Sequence, residues 1–135
     1  MTGGVAIEVA VRRSIVAAIE ADTALGGAIN GVFEPGAAGI SAPYVLVGAM
    51  TARDWGTKDR DGREVVATVE IRDARRAGEG VAGLAAQVAA AVGAMARGGE
   101  GFEVASVRLR NCAIARGRSG EWVAIIDFRV RALAS

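Results

Sequence analysis

The stretch Trp122–Arg131 constrains this chain most. Trp122, Ala124, Ile126, Phe128 and Val130 alternate with Val123, Ile125, Asp127, Arg129 and Arg131. Period-two alternation of this kind marks a strand with one face on a core and one toward solvent. Val65–Arg72 repeats the pattern, with Val65, Ala67, Val69 and Ile71 on one face and Val66, Thr68, Glu70 and Arg72 on the other. Tyr44–Met50 is a compact apolar run, and Phe102–Arg116 reads as a strand in which Val107 and Leu109 alternate with Arg108 and Arg110. Gly117–Gly120 supplies a turn between the last two strands.

Two helical stripes complete the pattern. Over about Val5–Ala21, Ile7, Val11, Ile15, Ala18 and Ile19 fall on one helical face, and Asp22–Thr23 with Gly26–Gly27 close the segment. Over about Glu79–Met95, Val81, Leu84, Val88, Val92 and Met95 do the same, with Gly98–Gly99 as the cap. Asn30–Ala42 is expected to be an irregular connector anchored by Phe33 and Ile40, and Asp73–Gly80 a charged link. The order is α-β-β-α-β-β. It predicts an α+β fold of two layers: a mainly antiparallel four-stranded sheet made of two hairpins, with two helices on one face. At 135 residues the chain is expected to form a single domain, 1–135.

Composition narrows the function. There is no histidine and a single cysteine, so neither a Ser–His nor a Cys–His dyad can form, nor an intramolecular disulfide. Cys112 is read as a small core residue. A net charge of +1 gives no reason to expect a polyanion partner. Gly78–Glu79–Gly80 lacks the lysine of a phosphate loop and the βαβ setting of a dinucleotide site. Asp59, Asp61 and Gly62 resemble the start of a calcium loop, but arginines interrupt the set. Arg108, Arg110, Arg129 and Arg131 could share a sheet face, balanced there by Glu70, Asp127 and Glu103. No catalytic set, metal or cofactor is expected. The opening residues do not read as a signal peptide, and no apolar run is long enough to span a bilayer.

The candidate site is the polar segment Thr51–Glu64, which is longer than a tight turn requires. It carries Arg53, Lys58, Arg60 and Arg63 against Asp54, Asp59, Asp61 and Glu64, with Trp55 in its middle. Balanced charge around one large aromatic suits protein contact. The same residues also fit a solvated loop whose Trp folds back on the sheet. The candidate contact residues are Arg53, Asp54, Trp55, Lys58, Asp59, Arg60, Arg63 and Glu64.

An amphipathic first helix running into ADTALGGAING, the strand start Pro43–Tyr44–Val45, and RDWGTKDRDGRE leading into the next strand occur in that order. Together they resemble the tail-terminator, or tail-completion, family of long-tailed phages, prophages and gene transfer agents. Trp55–Gly56–Thr57–Lys58 followed by Gly62–Arg63–Glu64 is similar to members from alphaproteobacterial gene transfer agents. The resemblance spans Val11–Ala132. It implies a non-enzymatic virion protein, made in the bacterial cytoplasm, that assembles as a ring, commonly a hexamer, on the head-proximal end of the tail tube. The implied partners are other copies of the chain, the tail tube protein and the neck or connector protein. Double-stranded DNA would pass through the lumen without specific binding, and no membrane is involved. Another neck or tube component, or a small ligand-binding α+β domain, are the alternative readings.

Overall fold

A computed structural model describes residues 3–74, 78–99 and 101–135 of the chain. It contains α1 (Gly3–Ala21), α2 (Thr23–Ala28), β1 (Val32–Phe33), β2 (Tyr44–Asp54), β3 (Gly62–Asp73), α3 (Gly78–Gly93), β4 (Gly98–Gly99), β5 (Phe102–Arg116) and β6 (Trp122–Ala134). The strands form one mixed sheet in the order β1-β2-β3-β6-β5-β4. All neighbours are antiparallel except β1 and β2, which are parallel.

This corrects the expected architecture. The sheet has six strands rather than four, it is mixed and curled, and three helices accompany it rather than two. The additional elements are short, and that is why period counting misses them. β1 and β4 hold two residues each, too few to show alternation. α2 holds six, too few for a stripe. Asp22 does end α1, but its carboxylate also accepts a bond from the Leu25 backbone N–H at 3.0 Å and so starts α2, as an N-cap does. Gly98–Gly99, expected as a cap, lies beyond the helix end at Gly93 and pairs with Phe102 and Glu103. The charged link expected over Asp73–Gly80 has its middle, residues 75–77, outside the described residues.

The two alternating strands meet at the centre of the sheet. Val65 faces Val130, Ala67 faces Phe128, Val69 faces Ile126 and Ile71 faces Ala124. All eight are buried. In two of these pairs large sits opposite small, Phe128 against Ala67 and Ile71 against Ala124, which helps a core poor in aromatics to close. The helices cover this face. Ile7, Val11, Ile15 and Ile19 of α1 are 0–1% exposed, and Val81, Leu84, Ala85, Val88 and Val92 of α3 are buried beside them. Burial of one such Ile or Val contributes about 1.5–3 kcal/mol.

Arg12 joins α1 to the sheet by hydrogen bonds. The β2–β3 register slips between Val47 and Met50, and such a bulge takes backbone groups out of the ladder. Arg12 answers it: its guanidinium donates to the Gly48 carbonyl at 2.9 Å and to the Val47 carbonyl at 2.6 Å.

Candidate assembly surface

The polar segment between the first two long strands is partly strand. β2 continues through Asp54 and β3 begins at Gly62, so the connecting loop is residues 55–61. Backbone bonds fix it: Trp55 N–H donates to the Gly62 carbonyl at 3.1 Å and Thr57 N–H to the Arg60 carbonyl at 2.8 Å. A Cβ at Gly56 would lie 2.9 Å from the Arg60 carbonyl oxygen, and one at Gly62 2.8 Å from the Leu133 side chain. Gly56 therefore has no room for a side chain against backbone, whereas at Gly62 the nearest atom is the movable end of Leu133. The loop is also tied to the end of β6, through Ala134 N–H to the Asp61 carbonyl at 2.8 Å and Arg60 Nε to the Ala134 carbonyl at 2.9 Å.

The eight candidate residues divide in two. Glu64 is buried, with a side chain only 7% exposed. One carboxylate oxygen meets Arg53 at 2.8 Å and the other accepts from Arg131 Nε at 2.8 Å. The Arg131 guanidinium then lies 5.5 Å from the centre of the half-buried Trp55 ring, a cation–π stack. Arg53, Glu64, Arg131 and Trp55 thus form one continuous chain of contacts. Arg63 sits 3.6 Å from Asp54 and 3.7 Å from Glu8, and Arg60 lies 3.7 Å from Glu103. Lys58 and Asp59 are exposed at the loop tip. Arg131, Glu103 and Glu8 escape a reading of the segment alone because they come from β6, β5 and α1. Arg131 becomes visible only once Glu64 is known to face it across the β3–β6 ladder.

The Arg131 hydrogen bond, helped by the Arg53 charge and opposed by burial, holds the Glu64 carboxyl below its ordinary value. A lowered carboxyl contributes stability that is complete above the unfolded-state value, about 4.3. That contribution fades as pH falls from there through the folded value. Glu64→Gln should therefore lose stability at neutral pH and approach the parent below about pH 4. Chemical denaturation across that range checks this, and a gap that stays constant down to the acid limit would remove Glu64 as its source.

The arginines of the second hairpin behave differently from expectation. Their proposed counter-charges are engaged elsewhere: Glu70 with Arg72 at 3.3 Å, Asp127 with the Thr68 hydroxyl at 2.7 Å, and Glu103 with Arg60. Arg129 faces Arg108 across the β5–β6 ladder, and its Nε is buried without a hydrogen-bond partner. A hollow of about 350 Å³ on this face is lined by Thr51, Ala52, Arg53 and Glu64 on one side and Arg110 and Arg129 on the other. β2 and β5 line the same hollow although β3 and β6 lie between them, which is the curl of the sheet. Cys112, expected in the core, is exposed on β5. Among the described residues no group of three His, Cys, Asp or Glu side chains could hold a metal ion. No described helix is long and apolar enough to cross a membrane.

The described residues thus form one curled mixed sheet backed by helices on one face, with charged pairs and a tethered loop on its rim. The family model described as "Tail completion protein gp17" matches residues 13–133, and the chain belongs to that family of structural tail proteins. A search of curated proteins gives no match. Among solved structures, a chain of the "Virion of native gene transfer agent (GTA) particle" is similar, with a TM-score of 0.74 and 19% identity over 92% of this chain and 94% of that one. At that identity the likeness establishes the fold.

Proposed function

We propose that the protein forms a closed ring on the head-proximal end of a tail tube, stops tube growth there and presents a new surface to the neck or connector. The observation that carries this reading is membership of the tail completion family over residues 13–133. The origin of the structurally similar chain, a native gene transfer agent virion, is consistent with it. The mechanism is geometric. A ring whose two faces differ can bind the last tube layer with one and offer different chemistry with the other. The partners are other copies of this chain, the tail tube protein and the neck protein, with double-stranded DNA passing through the lumen without specific contacts.

In this reading the tip of the 55–61 loop touches a neighbour. The loop is rigidly held at both ends, yet Lys58 and Asp59 at its tip are exposed. Lys58→Ala with Asp59→Ala should leave thermal melting unchanged, as exposed substitutions do, and should weaken assembly in sedimentation velocity. Adding Trp55→Ala should weaken assembly further, by about 2 kcal/mol or more if the indole anchors the contact. Electron microscopy of tails made with the variants reads the function. Tails longer than normal and without heads support termination. Normal tails and a normal ring from the triple variant would reduce the loop to a solvated connection.

A further inference from the structure

The sheet ends in two free edges of different character. On one side β4 covers only Phe102 and Glu103 of β5, so Ala105–Arg116 has no outer partner strand among the described residues. On the other side β1 covers only Val45 and Leu46 of β2, which leaves Ala49–Asp54 open. A long edge without proline is a template for another strand. The β5 edge also exposes apolar side chains on the helix-side face: Leu109 is 55% and Ile114 43% exposed, beyond the reach of α1 and α3.

Charge pairs these edges with each other. From Val104 through Arg118 the chain holds Arg108, Arg110, Arg116 and Arg118 and not one carboxylate. Arg108 and Arg110 are exposed, and Arg116 donates its Nε to the Gly120 carbonyl while its guanidinium lies against Trp122. The open edge of β2 is bracketed by two carboxylates that are 81% and 85% exposed, Glu34 and Asp54. Glu34 is held beside Gly48 because Arg12 contacts both. Each edge also carries a register irregularity, between Val47 and Met50 in β2 and between Leu109 and Asn111 in β5.

We infer that the β5 edge of one copy adds, antiparallel, to the β2 edge of the next. The register irregularity between Leu109 and Asn111 sets Leu109, with Arg110 turned to the outer face, beside Asp54. Arg116 lies near Gly48 and Glu34, and Arg116 with Glu34 is the charge pair that fixes the register. The direction follows from the sheet: β2, β3, β6 and β5 alternate in sense, so β5 runs opposite to the β2 of a copy rotated about an axis along the strands. The side chains agree in face. The register sets Cys112 opposite Ala52 and Ile114 opposite Met50. Cys112 and Ile114 share the helix-side face with their β6 partners Ile126 and Ala124, and Ala52 and Met50 share it with Val65 and Ala67. Because the two edges differ, the contact is head-to-tail and propagates until it closes, as a ring requires.

This inference rests on the ring reading and deepens it, and cysteine cross-linking in the full chain separates the two. Directly opposed residues in an antiparallel pair lie about 4.5–5.5 Å apart at Cα, within the range a disulfide spans. Ala52→Cys, with native Cys112, should give a ladder of thiol-reversible oligomers on a non-reducing gel after mild oxidation of the assembled protein. Arg53→Cys, on the opposite face, should give none. A second pair, Met50→Cys with Ile114→Cys in a Cys112→Ser chain, should give the same ladder. A ring in sedimentation velocity with no ladder from either pair overturns the edge pairing and leaves the ring reading standing. A cross-linked dimer from the unaltered chain through Cys112 alone would show two β5 edges meeting, which also overturns it. A protein that stays monomeric at every concentration removes the ring reading and this inference together.

Discussion

Phe128→Ala should lower the unfolding free energy by about 3–5 kcal/mol, the usual cost of truncating a fully buried aromatic. The phenyl ring is 1% exposed and faces Ala67. Across the β3–β6 ladder stands an alanine, and across the β5–β6 ladder Leu109 is itself 55% exposed, so neither neighbour fills the hole. Arg129→Ala, one residue on, should cost well under that. Its side chain points to the opposite face, and its Nε is already buried without a hydrogen-bond partner, so truncation removes an uncompensated polar atom along with some packing. Urea denaturation of both variants checks the pair. Equal midpoints with unchanged slopes would show that the face assignment of β6 is wrong.

Ile15→Ala should be the second large loss, about 2–5 kcal/mol. Ile15 is completely buried at the middle of the α1 stripe, between Val11 and Ile19. Alanine is a good helix former, so the change tests packing and not helix propensity. Val9→Ala on the same helix is the control. Val9 is 42% exposed, and its truncation should stay within about 0.5 kcal/mol. Thermal melting followed by circular dichroism compares them. Comparable losses for the two would mean that α1 does not lie on the sheet by its Ile7–Ile19 face.

The long elements were legible in the sequence because burial imposes a period on them. β5 has the expected bounds Phe102–Arg116, and the Val65–Ile71 face packs as its alternation predicts. The same logic fails where an element is too short to show a period, as in β1, β4 and α2. It also fails where both strand faces are polar or small: Thr51–Asp54 and Gly62–Glu64 read as loop because charge dominates them, yet they extend the β2–β3 ladder through Asp54 and Arg63. At the candidate surface the segment could be found but its internal chemistry could not. Glu64 looks like one more solvated charge until Arg131 arrives from β6 and Trp55 folds beside it. Cys112 looks like core because it sits in a strand. It is exposed because β5 runs past the end of the helical layer, a matter of tertiary placement that no local pattern encodes.

The position of β6 has a consequence for how the chain is made. β6 lies at the middle of the sheet, between β3 and β5, yet it follows every other described strand in sequence. As the polypeptide leaves the ribosome, β2 and β3 can zip up as a local hairpin and α1 can coil, but β3 and β5 share no neighbour until Trp122–Ala134 emerges. The decisive pairing, β3 with β6, then joins residues roughly fifty to seventy positions apart, and closing such a span has an entropic cost that local pairing avoids. During synthesis the core strand Val65–Ile71 therefore waits with one edge open. β5 waits far less, since β6 follows it after the short turn at 117–121, so the open edge of β3 is what the nascent chain carries longest.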